Sequence, residues 1–162
     1  MHRRLPAEWE EQDAVLLAWP HAGTDWADTL DTVEPVFSRI AVAISRFERV
    51  LIVAPQVAPV RARLEREGAD PQRLLFAELP TNDTWARDFG PITVLEDGAP
   101  VVLDFGFNAW GLKFAADHDN RVSRGLAAAG LFRAPVRVPG LVLEGGSIDS
   151  DGAGTLLTTN AC

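Results

Sequence analysis

Short apolar runs alternate with amphipathic segments along the chain, and this alternation limits the fold more than any other feature of the sequence. The runs stop at proline, glycine or polar residues, and they are Ala14–Ala18, Arg49–Ala54, Leu74–Glu78, Ile92–Leu95, Val101–Phe105, Val136–Val138, Leu141–Leu143 and Thr155–Thr158. Apolar residues recur at helical spacing over Thr29–Phe47, Val57–Glu67 and Asn120–Ala129. Strands that alternate with helices in this way are typical of an α/β fold.

Glycine and proline mark the places where these elements turn or stop. Asp97-Gly98 separates two predicted strands and predicts a hairpin. Gly68 and Gly130 are typical helix stop signals. Pro35 is expected in the first turn of its helix, where a missing N–H is tolerated. The run that starts at Thr155 is expected to be a strand after which nothing follows to pair with or cover it, which indicates a truncated domain.

Composition excludes several classes of protein. The formal charge is −8, from 23 acidic and 15 basic residues. This balance disfavours nucleic acid and anionic lipid as partners and mildly favours a cationic ligand. No apolar run is long enough to cross a bilayer, and the arginines near the start are not followed by the apolar stretch of a secretory signal. A cytoplasmic location is therefore expected.

Cysteine and histidine are scarce. Cys162 is the single cysteine, and the three histidines lack the spacing of metal ligands. A disulfide framework is therefore excluded, and no metal is expected. Cys162 is a poor candidate for a catalytic nucleophile, because no histidine has a sequence context that places it beside the thiol.

The densest group of polar residues is the segment Thr81–Pro91, between two predicted strands. Its carboxylates and its arginine are costly to bury unless the charges pair. One interpretation is a cation pocket, in which a carboxylate grips a planar guanidinium and the indole of Trp85 lies beside it. The other is an ion pair between Asp83 and Arg87, with Trp85 as a plug in the core. Local chemistry leaves both interpretations open.

Two further segments could carry chemistry. Glu144 precedes Gly145-Gly146, and these glycines permit positive φ and a close approach of the backbone. The Glu144 carboxylate either orients a histidine or is an exposed acid in an ordinary turn. The loop Phe107–Phe114, rich in glycine and aromatic residues, is either a wall of a ligand site or packing over the sheet.

Several long motifs occur in an order that resembles the agmatine deiminase family, whose members are also described as Porphyromonas-type peptidylarginine deiminases. The motifs are Leu5–Glu10, Leu17–His21, Asn82–Pro91, Phe107–Phe114, Leu143–Ile148 and Leu156–Thr159. Together they extend over almost the whole chain. A series of long motifs in one order is far more specific than a single short pattern.

The resemblance implies a pentein fold, which is a five-bladed αβ-propeller. Residues 1–162 would form the N-terminal portion of a single pentein domain, with about two ββαβ-like blades and the start of a third. It also implies hydrolysis of agmatine to N-carbamoylputrescine and ammonia, on the route to putrescine, without a metal or an organic cofactor. The implied partner is a small cationic guanidine. Whether the full-length protein forms a homo-oligomer stays open.

The functional residues of the family carry over where its motifs match this sequence. Asp88 corresponds to the carboxylate that clamps the substrate guanidinium, so the resemblance favours the cation pocket over the ion pair. Trp85 corresponds to the aromatic wall beside it, and Glu144 to the glutamate that supports the catalytic histidine. Trp110 and Lys113, in the matching aromatic loop, are expected to bind substrate as well.

Two motifs of the family do not occur in these 162 residues. One is a Gly-His-x-Asp segment, which holds the catalytic histidine and a second guanidinium-binding aspartate. The other is the Gly-Gly segment of the nucleophilic cysteine, which Cys162 does not match. The chain is therefore expected to be inactive alone. The alternatives are a non-catalytic guanidinium-binding or structural remnant, and a deiminase of peptidyl-arginine or free arginine.

Overall fold

A computed structural model of the chain describes residues 2–160, which divide into two compact units. We call Gln12–Ala86 the parallel unit, and residues 2–11 with 87–160 the hairpin unit. Each unit has its own cluster of buried apolar side chains. Among the described residues, no helix combines the length and the apolar character that a membrane span requires.

The elements follow one another in the mixed α/β order that the sequence predicts. The strands are β1 (Arg3–Arg4), β2 (Ala14–Ala18), β3 (Arg49–Ala54), β4 (Leu74–Glu78), β5 (Ile92–Glu96), β6 (Ala99–Leu103), β7 (Val136–Arg137), β8 (Ile148–Ser150) and β9 (Leu156–Thr158). The helices are α1 (Leu30–Ser45), α2 (Val57–Arg66), α3 (Ala86–Phe89) and α4 (Val122–Ala128). Short 3-10 turns occupy Ala27–Thr29, Pro71–Arg73, Asp119–Arg121 and Gly145–Ser147.

The parallel unit is built on a three-stranded parallel sheet in the order β2-β3-β4. Ala14 of β2 lies opposite Arg49 of β3, and Val50 of β3 lies opposite Leu74 of β4. The central strand β3 is buried from Val50 to Ala54, as is usual for strands of parallel sheets. The predicted bounds of all three strands are confirmed.

Helices α1 and α2 pack against this sheet. The buried stripe of α1 consists of small side chains, Ser38, Ala41 and Ser45, which allow the helix to approach the sheet closely. Trp19, directly after β2, is almost completely buried and meets the ring of Phe37 edge-on at 5.9 Å between centroids. Apolar burial of this kind is the main source of stability in the unit.

The position of Pro35 differs from the prediction. The turn Ala27–Thr29 leads directly into α1, which begins at Leu30, so Pro35 lies inside the helix rather than in its first turn. A proline at this position has no N–H to donate to the carbonyl of Asp31. The helix therefore lacks one hydrogen bond of its ladder, and tertiary packing has to offset that loss.

The hairpin unit contains a four-stranded sheet in the order β1-β5-β6-β7. β5 pairs antiparallel with β1 and with β6, whereas β7 runs parallel to β6. Asp97 and Gly98 connect β5 to β6 with φ angles of 49° and 85°. Two consecutive positive φ angles are characteristic of the two-residue turns that match the twist of a hairpin. The hairpin predicted at Asp97-Gly98 is therefore confirmed.

Buried Glu96 connects three strands of this sheet. Its side chain, at the end of β5, is 6% exposed and pairs with Arg3 of β1 and with Arg137 of β7. The Arg137 Nη1 to Glu96 Oε2 distance is 2.8 Å. A buried carboxylate requires such partners, because its desolvation would otherwise be costly.

One expectation for the hairpin unit is wrong. Leu141–Leu143 is not a strand, and Val142 forms only an isolated bridge with Gly106. The segment is confined between Gly140, with a φ of 76°, and the turn that starts at Gly145. The last strand, β9, pairs antiparallel with β8, which precedes it in the chain. The sequence prediction missed β8, which is only three residues long.

The N-terminal segment is held by an ion pair with two parallel hydrogen bonds. Arg4 Nη1 and Nη2 donate to Glu10 Oε1 and Oε2 at 2.6 and 2.8 Å, and Nη1 also donates to the Gly152 carbonyl at 3.1 Å. The hydrogen bonds from Arg4, together with one from the Ala7 N–H, lower the pKa of Glu10 to about 2. These contacts fix the start of the chain next to Gly152.

We predict that Glu96→Gln lowers the free energy of unfolding by about 2 kcal/mol, because an amide cannot replace charge-assisted hydrogen bonds to two arginines. Urea denaturation followed by circular dichroism measures the change. Asp149→Asn, which neutralises an exposed acid of the same unit, is the control and should change stability by less than about 0.5 kcal/mol. Equal losses in the two variants would contradict the prediction.

A second prediction concerns the dependence of stability on pH. Because the pKa of Glu10 is about 2 in the folded chain and 4.5 is its ordinary value, the ion pair stabilises the fold above about pH 4.5. This contribution is lost as the pH falls through about 2. Glu10→Gln should lower stability at neutral pH and flatten the loss of stability in acid. Urea denaturation at a series of pH values tests this, and an unchanged acid profile would contradict it.

Candidate active site

The Asp88 carboxylate is the centre of the candidate site in the hairpin unit. Asp88 lies on the short helix α3, within a segment that the sequence predicts as a loop, and its side chain is half-buried. Oδ1 accepts a hydrogen bond from the Gly146 N–H at 3.0 Å, and Oδ2 accepts one from Trp110 Nε1 at 3.2 Å. A carboxylate has about four lone-pair positions, so these two bonds leave acceptor capacity on both oxygens.

The Gly145-Gly146 pair lets the backbone approach α3 closely. A Cβ atom on Gly146 would lie less than 3.0 Å from Asp88 Oδ1, and one on Gly145 would lie less than 3.0 Å from the Arg87 carbonyl oxygen. Neither glycine is among the residues with positive φ. The close approach expected from the sequence is therefore confirmed, whereas the expected positive φ is not the reason for glycine here.

Arg87 fixes the orientation of α3. Its guanidinium pairs with Glu8 at 2.7 Å and donates to the Ile148 carbonyl at 3.1 Å. The second bond links α3 to the strand that follows the Gly-Gly turn. The sequence left open a pairing between Arg87 and Asp83, but the guanidinium is engaged by Glu8 and Ile148 of its own unit. Arg87 therefore helps to hold α3, the helix that carries Asp88, in position.

Glu144 is half-buried and lies directly before the turn Gly145–Ser147. Its carbonyl accepts hydrogen bonds from Ser147 N and Ser147 Oγ at 3.0 and 2.7 Å. These bonds close the turn that presents the Gly146 N–H to Asp88. The backbone of Glu144 and the carboxylate of Asp88, the two acidic residues that the sequence singled out in this unit, thus contact the same turn.

A left-handed helical turn carries Trp110. Ala109, Trp110, Gly111 and Leu112 have φ angles of 50°, 57°, 79° and 64°. Leu112 N donates to the Asn108 carbonyl at 2.8 Å, and Gly111 N donates to Asn108 Oδ1 at 3.0 Å. Left-handed helix costs about 1–2 kcal/mol for each residue that is not glycine. Strain of this size persists only where surrounding contacts impose it, and it is common at functional sites.

Aromatic side chains surround Trp110. Its ring meets the edges of Phe107 and Phe114 at centroid distances of 5.3 and 5.9 Å, both nearly perpendicular. Phe107 is buried against Phe89 of α3, at 5.9 Å. Phe107 therefore packs inward against α3, and Trp110 reaches Asp88. The role of the loop Phe107–Phe114 as a wall of a ligand site stays a prediction. Lys113 follows the turn and is exposed.

Within the parallel unit, a second polar group lies after the carboxyl ends of β2 and β4. Trp85 is 45% exposed, and its Nε1 donates to Asp83 Oδ2 at 3.2 Å. Trp26 lies at 6.3 Å from Trp85, between ring centroids, and its Nε1 donates to Thr84 Oγ1 at 2.8 Å. Loops at the carboxyl ends of parallel strands commonly form ligand sites. Trp85 is thus a partly exposed indole that its neighbours hold in place.

Two titratable groups of this second region have shifted pKa values. Burial raises the pKa of Asp83, an effect opposed by the hydrogen bond from the Thr84 N–H and reinforced by the charge of Asp25. Burial lowers the pKa of His21, and hydrogen bonding to Thr81 partly offsets it. His21 Nδ1 accepts from the Gly23 N–H, so that the neutral ring carries its proton on Nε2, toward Thr81 Oγ1 at 3.0 Å.

Sequence reasoning missed three contributors to these two regions. They are the Gly146 N–H, the side chain of Asn108 and the indole of Trp26. The first had a signal in Glu-Gly-Gly, since paired glycines often mark a close approach. Trp26 also had a sequence signal, which is its position in the loop after β2, because parallel strands bring such loops to one edge of a sheet. Cys162 lies outside the described residues.

Comparisons with curated proteins place the chain among deiminases. A family model described as Porphyromonas-type peptidyl-arginine deiminase matches residues 4–162. The agmatine deiminase of Pseudomonas aeruginosa (strain LESB58) is 38% identical over 98% of this chain, and that of Stutzerimonas stutzeri (strain A1501) is 37% identical over 98%. The chain spans 44% of the length of each of these relatives.

Solved structures give the same result. The agmatine deiminase of C. jejuni with substrate bound has a TM-score of 0.88 and 35% identity, over 97% of this chain and 45% of that one. The agmatine deiminase of Enterococcus faecalis has a TM-score of 0.80 and 34% identity, over 96% of this chain and 43% of that one. The mixed α/β fold therefore matches that of deiminase structures.

We predict that Gly146→Ala destabilises the chain by about 1–3 kcal/mol, because the added methyl group overlaps Asp88 Oδ1 and forces the turn to move. Urea denaturation measures the change. The same substitution in an Asp88→Ala background should cost at least about 1 kcal/mol less, since the carboxylate that it meets is gone. Equal costs in both backgrounds would show that the clash with Asp88 is not the cause.

Proposed function

Because the chain belongs to the family of Porphyromonas-type peptidyl-arginine deiminases, we propose that it supplies one wall of the substrate site of a guanidine-group hydrolase. The proposed reaction is hydrolysis of agmatine to N-carbamoylputrescine and ammonia. One water is consumed, and one C–N bond of the guanidinium is broken. The curated relatives named agmatine deiminase support this substrate.

The observation that carries the proposal is the way in which Asp88 is held. Two N–H donors fix its carboxylate, one at each oxygen, and both oxygens retain acceptor capacity. A guanidinium presents two parallel N–H groups that match the two oxygens of a carboxylate. We propose that Asp88 binds the substrate guanidinium through two such hydrogen bonds. A carboxylate fixed in advance does not have to reorient when the reaction begins.

The aromatic residues support the same ligand chemistry. A guanidinium is planar and weakly hydrated, so it stacks favourably on indole faces. We propose that Trp110, whose indole N–H donates to Asp88, lines the substrate site of the hairpin unit. Trp85, whose indole N–H donates to Asp83 within the parallel unit, is proposed as a substrate contact from the family resemblance. Lys113, exposed at the end of the left-handed turn, is proposed to contact substrate as well.

Glu144 is proposed to orient the histidine that acts as acid and base in the full-length enzyme. A carboxylate in this role holds the imidazole in one tautomer and stabilises its charged form. The histidine and cysteine motifs of the family do not occur in these 162 residues. We therefore propose that these residues bind the guanidinium but do not hydrolyse it. We also propose that they form about two blades and the start of a third blade of a pentein propeller.

The substrate class has an alternative that the names of the relatives raise. The family description refers to peptidyl-arginine, whereas the curated relatives are named for agmatine. Agmatine, arginine and peptidyl-arginine share the guanidinium that Asp88 would bind, and they differ at the far end. Comparing agmatine, arginine and an acetylated arginine amide as ligands distinguishes these cases.

We predict that Asp88→Asn weakens the binding of agmatine to the 162-residue chain by at least about tenfold, because the variant loses a charge-assisted contact. Isothermal titration calorimetry measures the affinity. Asp149→Asn has the same change in charge at an exposed position and should bind like the unaltered chain. Putrescine, which lacks the guanidinium, should bind more weakly than agmatine. Equal affinities in the two variants would contradict the proposal.

A further inference from the structure

We infer that Asn108 is a positioning residue for the guanidinium-binding carboxylate, since it closes the left-handed turn that directs the indole N–H of Trp110 at Asp88. Asn108 does not touch Asp88, and the inference concerns its effect through Trp110. The expected effect of Asn108 on agmatine binding rests on the proposed function. The geometry itself can be tested without that function.

The first step of the argument is the turn itself. Asn108 contributes both of its carbonyl oxygens, since the backbone oxygen accepts from Leu112 N at 2.8 Å and Oδ1 accepts from Gly111 N at 3.0 Å. Few residue types can offer a side-chain acceptor at this distance from their own backbone. These two bonds compensate for a backbone that chirality disfavours at Ala109, Trp110 and Leu112.

The second step is the direction of the indole. A right-handed or extended backbone at Trp110 would point its Cβ elsewhere, because side-chain direction follows φ and ψ. With a φ of 57° the ring lies between Phe107 and Phe114, and Nε1 reaches Asp88 Oδ2 at 3.2 Å. The hydrogen bond to Asp88 therefore depends on the conformation that Asn108 stabilises.

The third step is the anchorage of the turn. Asn120 Oδ1 accepts from the Phe107 N–H at 2.8 Å, one residue before Asn108. Phe107 is buried, at 4% exposure, and packs against both Phe89 and Trp110. The start of the turn is therefore fixed independently of Asn108. Loss of the Asn108 side chain should release the turn without unfolding the aromatic cluster beneath it.

The test uses the 162-residue chain and two readouts. The indole N–H resonances of the five tryptophans are recorded by 15N-correlated NMR, and Trp110→Phe assigns the one from Trp110. Agmatine affinity is measured by calorimetry. Asn108→Ala removes the acceptor, whereas Asn108→Asp keeps an oxygen at the same place. If Asn108→Ala fails to fold, Ala109→Gly is introduced into the same chain as a second substitution. Glycine adopts positive φ without strain, so it lowers the cost of the left-handed turn.

We expect Asn108→Ala to move the Trp110 indole proton to higher field, as its bond to the carboxylate is lost, and to weaken agmatine binding about fivefold to tenfold. Asn108→Asp should restore both. The inference would be overturned if the chemical shift of the Trp110 indole proton were unchanged in Asn108→Ala, or if Asn108→Asp lost as much agmatine affinity as Asn108→Ala. If the unaltered chain binds no agmatine, the proposed function fails and the resonance alone decides the role of Asn108.

Discussion

The two hydrogen bonds that hold the Asp88 carboxylate are the contacts on which the candidate site depends. Their donors, the Gly146 N–H and the Trp110 indole, come from segments far apart in the sequence. Each requires an unusual local feature, a glycine without room for a side chain in one case and a left-handed backbone in the other. In the hairpin unit, both unfavourable local features contact one carboxylate, which is typical of functional sites rather than of ordinary packing.

The elements of the parallel unit were predictable because their signals are local. Each strand of its sheet is a short apolar run with a clear stop, such as Pro55 after β3, and buried parallel strands need no alternation. The turn at Asp97-Gly98 was predictable for the same reason, since the residue types fix the backbone there. The expectation for Pro35 was wrong although the predicted start at Thr29 lies one residue from the observed start at Leu30, because a helix that starts at either residue has Pro35 beyond its first turn.

The candidate site was less predictable, because its geometry arises from contacts between distant segments. The sequence does not show that Gly146 lies against Asp88, nor that residues 109–112 turn left-handed, since only Gly111 of those four is a residue type that favours positive φ. Local chemistry alone left the role of Asp88 undecided. The family resemblance favoured its role as a guanidinium clamp, and that role stays a proposal, whereas the two N–H donors that hold the carboxylate are observed.

The left-handed turn also has a consequence for stereochemistry. Ala109 has a φ of 50°, which is a conformation that the mirror-image amino acid prefers. A chain assembled by chemical ligation with D-alanine at this position would keep every atom type and relieve the conflict between handedness and backbone. Nature cannot make that exchange at the ribosome. The chain instead maintains the turn with hydrogen bonds that Asn108 accepts, and Ala109, Trp110 and Leu112 are where L-chirality opposes the site most directly.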